Sequence, residues 1–230
     1  MATTLTWTSD RELFQLIKAH LFTAVVGDIM DTFQLYHQFL PPNIQPLTPD
    51  MVVLGRAMPV QEADVSDLPD THPLINKPFG VMLEALDDLK PDEVYICTGS
   101  SPDYALWGEL MSTRARHLQA AGAVLDGYVR DTPGILRLNF PTFCYGRFAQ
   151  DQGPRGKVVD FRQPITIKQV LIRPGDIIFG DIDGVLVIPQ AEENEIIRLA
   201  LEKALGEQTV RKAIEGGMSA AEAFKTYGIM

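Results

Sequence analysis

Arg130 and Asp131 set a guanidinium and a carboxylate side by side at the end of a run that begins at Gly122. The run opens with Ala123, Val124 and Leu125, the pattern of a buried strand, and passes an Asp-Gly turn at Asp126 and Gly127 before the charged pair. Upstream, Trp107, Gly108, Glu109 and Leu110 open a stretch that reads as helix to about Ala121. A helix that starts at a glycine presents unpaired backbone N–H groups. Such donors can hold a small anion, and the neighbouring carboxylate can hold a metal ion beside it. The plainer reading of Arg130 and Asp131 is a surface ion pair at a strand end, which contributes little. The plainer reading of Glu109 is an acid favoured by the positive end of its own helix.

Other chemistry-bearing residues point to less. His20, His37, His72 and His117 show no paired ligand spacing, and Cys97 and Cys144 belong to no metal-spaced pair and read as reduced core residues. Asp126, Asp181 and Asp183 fall in turns, and Asp28 and Asp31 suit a first helical turn or a cap. Lys77, Lys90, Lys157, Lys168, Lys203, Lys212 and Lys225 all sit among polar or solvent-type neighbours, Lys168 least clearly because Ile167 and Gln169 flank it in an alternating stretch. None of them reads as the desolvated amine that Schiff-base chemistry needs.

The elements that must position the charged pair follow from periodicity and punctuation. Ser9 or Asp10 caps a first helix through Leu13, Leu16, Ile17 and Leu21, and Thr23 caps a second through Phe33 that ends before Pro41. Residues 52–60 read as a strand whose Pro59 belongs at an edge or bulge, and residues 62–78 as an acidic loop. A helix over 79–89 precedes a buried strand at Val94 to Cys97. After Asp131 come short β-like runs at 140–144, 158–159, 165–167, 170–172, 176–179 and 185–188, divided by Pro174-Gly175 and Asp183-Gly184. Residues 191–215 turn helical, Gly216 and Gly217 stop the helix, and Ser219 caps a last one. The pattern predicts one α/β domain over 1–230 with a central mixed sheet and a C-terminal helical segment at 191–230.

The totals exclude several classes. A formal net charge of −10 disfavours nucleic acid or an anionic membrane as the main partner. The N-terminal residues lack the basic and apolar regions of a signal peptide, and no apolar run approaches membrane-spanning length. Cytoplasm is the expectation that remains.

The order of landmarks resembles the RraA-like family, which includes the class II 4-hydroxy-4-methyl-2-oxoglutarate / 4-carboxy-4-hydroxy-2-oxoadipate aldolases. The matching pieces are residues 27–31, 54–57, 107–111, Gly122 through Asp131, 173–176 and 180–189. The pairing of Gly108 with Arg130 and Asp131 is the most specific of them. The resemblance implies a swivelling α/β/α fold, assembled as trimers or hexamers with sites at subunit clefts. It also implies a divalent metal, Mg²⁺ or Mn²⁺, and cleavage of a small 2-oxo acid to pyruvate, with oxaloacetate decarboxylation in some members. Carried over by position, Asp131 holds the metal, Arg130 contacts the carbonyl oxygen that becomes the enolate, and the amides of Gly108, Glu109, Leu110 and Met111 take the pyruvyl carboxylate. An acidic residue from a neighbouring subunit's C-terminal helix is matched best by Glu207, with Glu202 competing. The chemistry is consistent: breaking the C3–C4 bond pushes an electron pair toward the C2 oxygen, where a divalent cation and a guanidinium stabilise it. A hard ion that keeps several waters needs only one or two protein carboxylates.

Two departures stand out. The segment from Glu62 to Leu74 has no counterpart in the family, and Asp92-Glu93 replaces the usual Gly-Asp turn. Arg56, Arg137 and Arg147 are candidates for a second substrate carboxylate by charge alone. The alternative to an enzyme is a non-catalytic inhibitor of a ribonuclease, the role for which RraA itself is known.

Overall fold

The computed structural model describes residues 6–69, 71–73 and 75–229. It begins with helices α1 (Asp10–His20) and α2 (Thr23–Thr32) and strands β1 (Gln45–Pro46) and β2 (Val53–Asp64). Helix α3 (Met82–Asp87), strands β3 (Glu93–Thr98) and β4 (Ala105–Trp107) and helix α4 (Glu109–His117) follow. Next are β5 (Gly122–Leu125), β6 (Tyr128–Val129), α5 (Thr132–Leu138) and β7 (Thr142–Cys144). Strands β8 (Gly156–Phe161), β9 (Ile165–Ile167), β10 (Val170–Ile172), β11 (Ile177–Asp181) and β12 (Gly184–Ile188) lead to α6 (Glu193–Glu215) and α7 (Ala220–Tyr227). Contacts gather these into two compact units, one of α1, α2, α6 and α7, the other spanning His37–Gln190. Among the described residues no single helix is long and apolar enough to cross a membrane.

The helical unit follows its sequence signals. Ser9 Oγ accepts from the Glu12 N–H, and Ser219 Oγ accepts from the Glu222 N–H, so two helix starts are capped by hydroxyls. Leu13, Phe14 and Ile17 of α1 are buried, as are Ile196, Ile197, Ala200 and Leu201 of α6, at the spacing of one helical face. Asp28 pairs with Lys203 rather than capping a helix end. Thr23 is the first residue of α2 and not its cap, a position that falls to Phe22.

The larger unit is built on a mixed sheet, in the order β1-β7-β5-β3-β2-β11-β12, with β8 also pairing β2. Strands β2, β3, β5 and β7 run parallel to one another, while β11, β12, β8 and β1 join antiparallel. The fold is thus α/β with a central mixed sheet and C-terminal helices. Strand β5 is buried along its whole length, which accounts for the unbroken apolar run at Ala123 to Leu125. Cys97 and Cys144 are free and buried, and burial pushes both thiols up.

Strand β2 differs from its sequence reading in two ways. It continues through Asp64, so Glu62 and Asp64 are strand and not loop, held by β8 across a bulge between Gln61 and Glu62. Pro59 lies inside the sheet, not at an edge. Its carbonyl accepts from the Arg162 N–H at 2.8 Å, and on that side β11 pairs with Val53–Arg56 and β8 with Val60–Asp64. The donorless nitrogen faces the same seam between two partner strands, where no ladder bond is lost. Lys168, read as part of a strand, has φ of 55° in the turn between β9 and β10 and is exposed. Asp92 has φ of 62°, a left-handed conformation that Asp tolerates, so it fills a turn where glycine is usual.

Candidate active site

Two short strands bring the expected residues together. Strands β4 and β6 pair in parallel, and the Arg130 N–H donates to the Trp107 carbonyl at 2.9 Å. The chain therefore leaves β4 into α4 at Gly108 directly beside the point where it leaves β6 into α5 at Asp131. Trp107 is buried, and its Nε1 donates to Ser112 Oγ at 2.7 Å while that hydroxyl donates to the Gly108 carbonyl at 3.0 Å. Those bonds fix the first turn of α4. Gly108 caps the helix with extended backbone and no side-chain bond to the helix amides.

Asp131 occupies the N-cap of α5 in left-handed conformation, φ 53° and ψ 31°, yet its side chain makes no capping bond. The carboxylate is turned toward Gly108 instead. A Cβ on Gly108 would lie 2.9 Å from Asp131 Oδ2 and 3.6 Å from Arg130 Cγ, so the absence of a side chain there is what admits the carboxylate. Arg130 Nε lies 3.8 Å from Asp131 Oδ2, and Nη1 lies 2.9 Å from Asp151 Oδ1. The guanidinium sits between two half-exposed carboxylates, an arrangement worth little as a stabilising network.

These groups line a cavity of about 240 Å³. Of the residues expected to act, Gly108, Leu110, Met111, Arg130 and Asp131 border it, together with Asp151 and Gln152. Glu109 does not border it. Its side chain packs on Gly134, where a Cβ would come within 2.0 Å of Glu109 Cδ, and its Oε1 is 3.2 Å from Arg137 Nη2. Arg56, Arg137 and Arg147 also lie outside the lining. Glu207 belongs to α6 in the helical unit, with Oε1 3.8 Å from Lys203 Nζ, and Glu202 pairs with Arg198 at 2.6 Å.

Behind the cavity lies a buried polar group that sequence reasoning missed. Gln152 Nε2 donates to Glu62 Oε1 at 2.7 Å, and Glu62 is 1% exposed. Burial pushes the Glu62 carboxyl up to about 8; the Gln152 hydrogen bond opposes the rise, Asp64 adds to it and Lys157 opposes it. Tyr104 Oη donates to Asp64 Oδ1 at 2.8 Å. Lys157, which the sequence placed among polar neighbours, is buried and donates to the Gly153 carbonyl at 3.0 Å, outside the cavity lining. Asp151 gave no signal either, because it falls in an aperiodic segment between Phe148 and Gly156.

The donor set can be tested against a metal. Among the described residues no group of three or more His, Cys, Asp or Glu side chains is arranged to hold one. The described residues of one chain thus form no dedicated cage of the zinc type. It leaves room for a hard, largely hydrated ion on one or two carboxylates. Asp131, with a side chain not consumed by capping, and Asp151 offer hard oxygens on one cavity.

Comparison with known proteins points in one direction. The family model described as RraA-like, aldolase/RraA, matches residues 23–187. A protein of Halalkalibacterium halodurans provisionally named 4-hydroxy-4-methyl-2-oxoglutarate aldolase is 31% identical over 186 residues, which are 80% of this chain and 82% of that one. A crystal structure of an uncharacterized protein from Pseudomonas syringae pv. tomato has a TM-score of 0.82 at 24% identity, covering 99% of this chain and 100% of that one. The structure of RraAS2 from Streptomyces coelicolor, described as an unusual member of the RNase ES inhibitor RraA protein family, has a TM-score of 0.78 at 22% identity, covering 90% of this chain and 100% of that one. The two structures speak for the fold alone.

Proposed function

This chain belongs to the RraA-like family, and from that premise we propose that it is a divalent-metal-dependent aldolase that cleaves a 4-hydroxy-2-oxo acid and releases pyruvate. The observation that carries the reading is the convergence of Arg130, Asp131 and the glycine-led start of α4 on one cavity. An Mg²⁺ or Mn²⁺ ion would be held by Asp131, and when bound it supplies positive charge at the substrate's carboxylate and C2 oxygen.

This chain's own groups do the rest. The amides from Gly108 to Met111 receive the substrate carboxylate at the positive end of α4. Arg130 directs its guanidinium at the C2 oxygen, where the electron pair of the breaking C3–C4 bond arrives as an enolate. Asp151 Oδ1 steadies that guanidinium, and the same carboxylate takes the proton of the C4 hydroxyl as the new carbonyl forms. Return of that proton from Asp151 to C3 of the enolate completes pyruvate and restores the carboxylate. Oxaloacetate would lose carbon dioxide by the same movement of electrons. A cytoplasmic trimer or hexamer, with Glu207 supplied by a neighbouring subunit, belongs to the same reading.

The test is pyruvate release from oxaloacetate and a panel of 4-hydroxy-2-oxo acids. Turnover that EDTA abolishes and Mg²⁺ restores is the expected result. No metal-dependent turnover on any of them, together with tight binding to a ribonuclease fragment, would move the protein to the inhibitor role.

A further inference from the structure

The cavity has two unlike sides. One is charged, with Arg130 between Asp131 and Asp151. The other is apolar, built by Phe79, Met82, Leu83 and Leu86 around α3 and by Leu110 and Met111 at the start of α4. Among the described residues that line it, Arg130 is the single cation against two carboxylates. Of the neighbouring cations, Arg114 pairs with Asp87 at 2.7 Å and Lys77 with Glu84 at 2.6 Å, while Arg155 donates to the Asp151 carbonyl at 3.0 Å and lies outside the lining.

We infer that the preferred aldol substrate carries one carboxylate only, and that its C4 substituent is an alkyl or aryl group lying on the Phe79–Leu86 and Leu110–Met111 wall. This rests on the aldolase reading above and departs from the dicarboxylic substrate in the name of the Halalkalibacterium halodurans relative. The carboxylate shared by all 2-oxo acids goes to the amides of α4, and the C2 oxygen takes Arg130. A second carboxylate on C4 would then face leucine, methionine and phenylalanine, losing hydration with no partner to replace it. An apolar tail gains on the same wall. In the single chain Leu110 is 82% exposed and Leu83 54% exposed, so a tail seated on them would remove apolar surface from water.

The step itself is unchanged by the tail. The C3–C4 bond breaks, its electron pair goes to the enolate, the C4 hydroxyl proton goes to Asp151 and returns to C3 to give pyruvate, and the released partner is an apolar aldehyde or ketone. No oxidant or reductant is needed.

The experiment has a catalytic arm and a binding arm, both on the full chain with Mg²⁺. In the first, kcat/KM is measured for 4-hydroxy-2-oxopentanoate, its hexanoate and heptanoate homologues, and the diacids 4-hydroxy-2-oxoglutarate and 4-hydroxy-4-methyl-2-oxoglutarate. The monoacids should improve by about fourfold per methylene, and the diacids should lie about tenfold or more below the hexanoate. A preference for the diacids overturns the inference while sustaining the aldolase reading. In the second arm, Trp107 fluorescence in a Trp7→Phe background reports binding of 2-oxohexanoate and 2-oxoglutarate, neither of which can be cleaved. The monoacid should bind about tenfold tighter or better, and equal or reversed affinity overturns the inference. If that preference is found without turnover on any substrate, the wall's selectivity stands and the aldolase reading falls. Leu83→Arg, at the exposed rim, should shrink the preference by about tenfold by supplying the missing cation. An unchanged ratio in that variant places the tail elsewhere and refutes the assignment.

Discussion

Gly108→Ala isolates the corner from the fold. The added Cβ would lie 2.9 Å from Asp131 Oδ2 and 3.6 Å from Arg130 Cγ, closer than such contacts allow only in the first case. Gly108 has φ of −155°, ordinary extended backbone, so alanine meets no conformational strain there. The obstacle is the free end of a side chain, which can swing aside without moving the backbone. Stability should therefore change little: alanine is a poorer N-cap than glycine by about 1 kcal/mol at most, or about 2–4 °C in Tm for a chain of this size. Activity should change much more. A displacement approaching 1 Å in a group that orients a reaction costs about 10²-fold, and the few tenths of an ångström forced here should cost between about 10-fold and 100-fold in kcat/KM. Pyruvate release and thermal unfolding, measured on the same preparation, separate the two effects. Wild-type turnover in the alanine variant would refute the claim that this carboxylate's position matters to the reaction. A Tm loss above about 10 °C would show that the backbone, and not the side chain, yields.

Arg130→Lys should lower kcat/KM by about 10²-fold or more at unchanged Tm, because an ammonium cannot meet the C2 oxygen and Asp151 with one planar fork; steady-state kinetics check it. Asp151→Asn keeps an oxygen for Arg130 but cannot accept a proton, so kcat should fall by about 10²–10⁴-fold while KM holds. Glu62→Gln tests the buried carboxyl behind the cavity. Its folded pKa is raised to about 8 from an ordinary 4.5, so below 4.5 both folded and unfolded forms are protonated and the group costs nothing. Between those values only the folded form keeps its proton, and stability falls with rising pH by about 1.4 kcal/mol per unit, to a ceiling of about 5 kcal/mol. Glutamine mimics the protonated acid without titrating, so urea unfolding should show the variant gaining on the wild type from pH 5 to pH 8; a constant difference would contradict a buried, protonated Glu62.

The corner was legible because its parts are local. A glycine at a helix start and an adjacent Arg-Asp at a strand end carry their meaning in type and neighbourhood, and the short β4–β6 pairing joins them. Strand β5 and helix α6 were equally plain, one an unbroken apolar run and the other bounded by Gly216. What stayed hidden depends on distant partners. Glu62 read as loop because acids crowd its neighbourhood, and it becomes strand only through β8, nearly a hundred residues on. Asp151 sits in a segment without periodicity, placed by the Ala105 N–H donating to the Gln150 carbonyl at 2.9 Å and the Val65 N–H donating to the Arg155 carbonyl at 2.7 Å. The direction of Glu109 is set by Gly134 and Arg137, on a helix that follows the turn at Asp131. No pattern within the Gly108 stretch specifies it.

In the proposed reaction Asp131 is the carboxylate on which turnover depends. Pyruvate release by Asp131→Asn, set beside the wild type at saturating Mg²⁺ with Tm as control, tests it most directly. A loss of about 10³-fold or more is expected, with a melting temperature within a few degrees of wild type, since the side chain is half-exposed. Turnover at the wild-type rate in the folded variant would contradict it.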